Sequence, residues 1–326
     1  MSETLLRVEG LRIGLRRRHS TTTLVHGVDL EVARGERLGI VGESGSGKTL
    51  TMLAVMGLLS PPLVVLDGSI RLGGQELVGA SENVMRRVRG SRVAMVYQDP
   101  MTALDPMLRV GDQVAEGLLA HGTPRGDAQG RVREALTEVG LAPRIERSYP
   151  HELSGGMRQR VMLASALVTG AGLLIADEPT TALDVTIQRQ ILRLVARLQQ
   201  EHGFAVAWIT HDLGVVAQFA QRVAVMYAGR VVETSPTKRL FTAPEHPYSA
   251  ALLASLPSPG TSGPLAQIAG TPPDPAALPK GCAFAPRCPR RVARCLEEVP
   301  PSTPRAEEAS AACFVPPGEW PERASA

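Results

Sequence analysis

The sequence predicts an α/β fold: a mostly parallel sheet, an antiparallel β region ahead of it, a helical insertion within it and a small extension after it. Three observations carry this. Apolar runs at 38–41, 173–176 and 205–210 read as buried strands, with helical spacing at 50–59 and 187–200 between them. Residues 99–160, set between strands, hold two more stretches of helical spacing, at 110–121 and 131–139. From Pro236 onward the composition changes: 18 of the 26 prolines and all four cysteines lie in 236–326.

A chain of 326 residues can bury a large core, and the composition places its domains at 1–235 and 236–326. The net charge is only +3, with acids and bases interspersed, so nucleic acid is not an expected partner. Arg16-Arg17-Arg18 reads as a solvated loop. The opening MSETLLRVEG has no apolar core for export. Two charge-free runs, 49–66 and 161–176, are broken by Ser60-Pro61-Pro62 and by Gly170 and Gly172. Neither offers the ~20 apolar residues of a membrane span. The chain is expected to be soluble and to reach a membrane by docking.

The antiparallel region comes first. Residues 5–15 and 25–32 alternate as strands do, and Arg34-Gly35-Glu36 turns into the first buried strand. The stretch that organises the chain follows: Gly42–Thr49, GESGSGKT. Its setting, strand then G-x-x-x-x-G-K-[ST] then helix, is the one a P-loop requires. The glycines let the backbone bend so that N–H groups converge at the positive end of a helix. Lys48 supplies a cation for phosphate oxygens, and the Thr49 hydroxyl supplies a ligand for Mg²⁺. Nucleotide is expected against Gly42, Glu43, Ser44, Gly45, Ser46, Gly47, Lys48, Thr49 and Leu50.

A short hairpin is expected at 69–77, and a β-rich run, 92–97, ends at Gln98. After the helical insertion, Ser154-Gly155-Gly156 opens a helix near Met157–Val168, with Ser154 as its N-cap. Arg158 and Arg160 sit where the helix dipole disfavours cations. A bound anion is one resolution, and a plain glycine-rich cap leaves the conflict standing. The strand Leu173–Ala176 delivers Asp177 and Glu178 at its C-terminal end, where open α/β sheets place their chemistry. Asp177 suits Mg²⁺, and Glu178 suits the attacking water. His211 stands at the end of the next strand. A hairpin at 223–232 closes this part.

Residues 257–279 read as extended linker. The tail carries Cys282, Cys288, Cys295 and Cys313 in the spacing C-x5-C-x6-C-x17-C. Without an export signal this clustering favours a metal or cluster site over disulfides. The spacing matches neither zinc ribbons nor the tight ferredoxin run, and leaves the metal undecided. The prolines suit a loop wrapped on a metal centre rather than on a hydrophobic core.

Taken in order, these motifs resemble the ATP-binding cassette family. They are Walker A (42–49), the Q-loop Gln98, the signature LSGGMRQ (153–159), Walker B (173–178), the D-loop ALD (182–184) and the switch histidine His211. YQDPMTALDP, ADEPTTALDVTIQ, ITHDLGVVA and EHPYSAALLASLP are similar to the nucleotide-binding subunits of dipeptide and oligopeptide importers. The resemblance implies an ATPase energising peptide import. Nickel or another solute, or a non-transport cassette ATPase, is the alternative. It implies a partner cassette subunit in a heterodimer, two permeases, an extracytoplasmic binding protein and a peripheral place on the cytoplasmic face of the inner membrane.

It also implies roles for individual residues. Two cassettes would sandwich ATP, with Ser154, Gly155 and Gly156 of one capping the γ-phosphate held by the other. Gln98 would sense Mg²⁺ and the γ-phosphate, His211 would hold that phosphate and the water, and Asp184 would communicate across the dimer. The sequence departs from the family at Leu15, where an aromatic that stacks on adenine is usual; His19 is the nearby candidate surface. For the four cysteines the resemblance implies a [4Fe–4S] cluster, with zinc and then free or disulfide thiols as alternatives.

Overall fold

The computed structural model describes residues 3–97, 103–181, 183–256 and 267–320. The chain forms two compact units: Met1–Leu5, Val32–Arg37 and Gly73–Ile209, and then Leu6–Glu31, Leu38–Leu72 and Thr210–Ala326.

In the first unit, Val93–Val96, Leu173–Asp177 and Ala205–Thr210 run parallel, with Val93 opposite Leu173 and Leu173 opposite Ala205. Every residue of the latter two strands is buried, which is why they read as unbroken apolar runs. Helices Val110–Ala120, Arg125–Glu138 and Gly155–Leu167 pack on one another. Val110, Val114 and Leu118 form the buried stripe of the first, at helical spacing. The second begins six residues before the predicted 131, directly after Pro124. Gly126 and Gly130 weaken the local helical signal, and burial of Ala128 and Val132 overrides it.

Helix Val185–His202 buries Ile191, Leu194, Val195 and Leu198. It starts at Asp184, whose Oδ1 accepts the N–H groups of Thr186 and Ile187 at 3.0 and 2.9 Å. It stops at Gly203, which is left-handed at φ 72°. The short helix Glu82–Val88 was not anticipated.

In the second unit, Ser20–Ala33, Thr4–Arg17 and Leu63–Leu72 lie side by side in that order. Leu6 pairs antiparallel with Leu72 and Leu15 with Leu63. The hairpin expected at 69–77 has its strands at Leu63–Leu72 and Gln75–Glu76, the first beginning six residues earlier than read. A second sheet starts with Arg37–Val41, parallel to Arg222–Tyr227. The hairpin turn Ala228-Gly229, with both residues at positive φ, leads into Arg230–Pro236.

The tail departs from its reading as a loop around a metal centre. Strands Thr303–Ala306 and Ala309–Ala311 extend this sheet, with Glu233 opposite Ala311. Ala283 and Phe284 enter an apolar cluster with Val41, Val223, Val225, Tyr227 and Tyr248. Phe284 meets the rings of Tyr227 and Tyr248 edge-on at 5.3 and 5.4 Å. Prolines hid this order: Pro247 occupies the first turn of helix Pro247–Ala254, where its missing N–H costs nothing. The described part of the expected linker, 267–279, has neither helix nor strand.

Candidate nucleotide-binding site

The P-loop leaves the strand Arg37–Val41 and enters the helix Lys48–Val55 through left-handed Gly47 at φ 96°. Gly42 is held by sterics as well: a Cβ there would lie 2.1 Å from the carbonyl oxygen of Met226. The Lys48 ammonium is buried and donates to the Gly42 carbonyl, the Glu43 carbonyl and the Ser46 hydroxyl at 2.8, 3.0 and 3.3 Å. The lysine that would meet phosphate is thereby fixed to the loop that would wrap it. Ser44, Gly45 and Thr49 are exposed, Ser46 is buried, and Leu50 is partly buried. From the hairpin turn, the Gly229 N–H donates to the Ser46 carbonyl at 3.0 Å.

His211, exposed, belongs to the same unit as the P-loop and follows the buried strand Ala205–Thr210. The next residue, Asp212, caps helix Leu213–Phe219 through its Oδ1.

Asp177 and Glu178 belong to the other unit. Asp177 ends its strand 5% exposed. Glu178 is left-handed at φ 45°, a conformation uncommon outside glycine, and its N–H donates to the Ile209 carbonyl at 3.0 Å. The backbone thus turns at the residue expected to address water. Ser154 is the predicted N-cap, accepting the Met157 N–H at 3.4 Å. A Cβ on Gly156 would sit 2.9 Å from Ile187 Cγ2. Arg158 donates to the Pro150 carbonyl and Arg160 to the Val139 carbonyl, each at 2.7 Å. Both cations near the start of this helix thus have carbonyl acceptors on other segments. Asp184 acts locally as a helix cap. Gln98 lies outside the described residues.

Leu15 is partly buried in its strand and His19 is exposed in the turn that follows. Cys282, Cys288, Cys295 and Cys313 are free thiols lining one small pocket with His246, Phe284, Arg290 and Phe314. A Cβ on Gly281 would lie 2.3 Å from the Cys295 carbonyl, and the Cys282 N–H donates to that carbonyl at 2.8 Å. Burial, helped by the other three cysteines and opposed by a hydrogen bond to the Arg290 backbone, pushes the Cys288 thiol up to about 11. Burial also raises Cys282 and Cys313. Cys282, Cys288 and Cys313 thus resist ionising unaided. Among the described residues, no three His, Cys, Asp or Glu side chains stand in metal-ligand arrangement.

Sequence reasoning missed Tyr248 and Arg287. Tyr248 Oη accepts the Glu43 N–H at 3.0 Å, and Arg287 pairs with the Glu43 carboxylate. The only signals in the sequence are a tyrosine in HPY and an arginine beside Cys288.

Residues 25–181 match the ABC transporter family, and residues 232–295 match the oligopeptide/dipeptide transporter C-terminal region. A Brucella ovis protein named for peptide import ATP binding is 46% identical over 99% of both chains. The dipeptide transport ATP-binding protein DppD of Bacillus subtilis is 46% identical, over 96% of this chain and 95% of the relative. The oligopeptide transport ATP-binding protein AppD of the same organism is 45% identical, over 96% and 97%. Among solved structures, the ATP-binding cassette MJ0796, in a dimeric post-hydrolysis state with ADP and Pi, superposes with TM-score 0.63 at 25% identity. That match covers 72% of this chain and 99% of the cassette. CbiO1 of Clostridium perfringens gives TM-score 0.65 at 28% identity, over 74% and 92%. With the P-loop, the serine-capped signature helix and the paired carboxylates each in place, the chain belongs to the ABC transporter ATPase family, in the branch that carries the oligopeptide/dipeptide transporter C-terminal region.

Proposed function

We propose that the chain hydrolyses ATP to energise import of di- and oligopeptides through a membrane ABC transporter. The match of 232–295 to the oligopeptide/dipeptide transporter C-terminal region carries the peptide assignment, and relatives named for peptide import support it. Residues 1–235 form the nucleotide-binding domain and 236–326 the extension that distinguishes this branch. Gly42–Leu50 wrap the phosphates, Lys48 neutralises them, and Thr49, Asp177 and Gln98 serve Mg²⁺. Glu178 orients and polarises water, and His211 holds the γ-phosphate. Ser154, Gly155 and Gly156 close over ATP held by a partner cassette, a distinct subunit in a heterodimer, while Asp184 links the two sites.

No helix among the described residues is long and apolar enough to cross a membrane, so membrane attachment falls to two permease subunits. Met107, 80% exposed, and Leu108 offer apolar side chains for that contact on the cytoplasmic face. An extracytoplasmic binding protein delivers the peptide. Cys282, Cys288, Cys295 and Cys313 would hold a [4Fe–4S] cluster, whose four thiolate bonds would tie the tail together; zinc is the second occupant. Iron and sulfide analysis of anaerobically purified protein decides this, and zinc without iron removes the cluster.

The transport assignment is tested by reconstituting the chain with its permeases and measuring ATP turnover with di- and oligopeptides and their binding protein. Peptide-stimulated turnover that vanishes in Glu178→Gln is the expected result. Stimulation by nickel and not by peptides would overturn the peptide assignment.

A further inference from the structure

The extension meets the P-loop at Glu43, through an ion pair and a hydrogen bond. Arg287 is 4% exposed in its side chain and meets Glu43, the second residue of the loop, in a bidentate fork: Nη1 to Oε2 at 2.7 Å and Nη2 to Oε1 at 3.0 Å. Its remaining donors are committed as well. Nε donates to the Ala269 carbonyl at 3.0 Å, Nη2 to the Ile268 carbonyl at 3.4 Å and Nη1 to the Tyr227 hydroxyl at 3.3 Å. All five guanidinium donors therefore have an acceptor, and the side chain has one geometry to adopt.

Glu43 is held at three points. Its N–H donates to Tyr248 Oη, its carbonyl accepts from Lys48 at 3.0 Å, and its carboxylate is gripped by Arg287. Two of the three partners come from beyond residue 236. The third is the lysine expected to meet phosphate. The Glu43 carboxylate lies one residue from Gly42 and has no role of its own toward ATP in the mechanism proposed above.

We infer that Arg287 is a positioning residue for ATP binding: through Glu43 it sets the P-loop backbone, and with it Lys48, in the conformation that receives the phosphates. The inference rests on the P-loop as the ATP site, which ATP binding by the wild-type chain tests separately. Arg287 itself touches no phosphate and acts through another residue.

The test is ATP·Mg²⁺ titration of the full-length chain and three variants, with melting temperatures measured alongside. Glu43→Gln and Arg287→Met are each expected to raise the dissociation constant about tenfold, the scale of one charge-assisted hydrogen bond. The double variant is expected to be no worse than either single one, because one link is lost in each case. Arg287→Lys, which keeps the charge but not the fork, recovers part of the affinity. Glu43→Gln leaves the buried arginine and its three other acceptors in place, so it reports even if Arg287→Met fails to fold. Wild-type affinity in Glu43→Gln, or losses that multiply in the double variant, would overturn the inference.

Discussion

The Thr181 hydroxyl donates to Glu178 Oε2 at 3.0 Å, three residues beyond a backbone turned left-handed at φ 45°. One carboxylate oxygen is thereby oriented from within its own turn. Glu178→Gln keeps the size of the side chain and removes the basic oxygen. ATP binding is expected to persist while turnover falls by roughly 10²–10³, the usual share of a general base. Thr181→Val should cost less, about three- to tenfold. Single-turnover hydrolysis and nucleotide binding measured on the same samples separate the two effects, and unchanged hydrolysis in Glu178→Gln would remove that residue from its role.

Gly42→Ala tests how little room the P-loop has. The new methyl carbon would stand 2.1 Å from the Met226 carbonyl oxygen and 2.8 Å from Ser46 Oγ. The Met226 carbonyl is backbone of a buried strand and does not yield, so the loop must shift. A displacement on the order of 1 Å predicts about a hundredfold loss of turnover. Circular dichroism is expected to stay close to wild type.

Ser154→Ala distinguishes a helix cap from a phosphate cap. The bond to the Met157 N–H is 3.4 Å long and exposed, so losing it should cost less than about 1 kcal/mol in a urea melt. If Ser154 also closes over a partner's ATP, turnover of the assembled transporter falls roughly tenfold or more. A variant with full turnover would leave Ser154 as a helix cap alone.

His246 makes stability depend on pH. The ring is 2% exposed, and its Nδ1 accepts the Tyr248 N–H at 3.0 Å. Burial, opposed by a hydrogen bond to the Ala312 backbone and helped by the nearby Arg305 cation, lowers it from 6.5 to about 3. Between those values the unfolded chain binds more protons than the folded one, so stability is full above about pH 6.5 and drains as pH falls toward 3. This group should contribute roughly 3 kcal/mol of loss between pH 7 and pH 4.5. His246→Asn keeps an acceptor for the cap and removes the titration, so its urea midpoint should change less over that range. Parallel slopes in the two proteins would show that another group sets the acid limit.

Much of the candidate nucleotide site was legible because its residues are neighbours in sequence. The strand at 38–41, the glycine loop and Lys48 lie within a dozen residues, and the structure draws them as read. The strand at 205–210 and the helix near 157–168 were equally plain, since unbroken apolar runs and a serine cap are one-dimensional signals. The tail was not legible in this way. The sheet pairing of Thr303–Ala306 and Ala309–Ala311 depends on a partner strand some 70 residues earlier, and no periodicity announces it. The Arg287–Glu43 pair spans 244 residues of sequence, and neither residue is unusual where it stands. Nor does the helix dipole, a local rule, announce the acceptors of Arg158 and Arg160, which sit on other segments.

The two short strands near the C-terminus lie along the outer side of Arg230–Pro236. Without them, a row of N–H and C=O groups would face solvent and could template pairing with another molecule. A chain cut short before Thr303 would lose this guard, and its sticky flank would favour self-association over a dispersed, functional cassette.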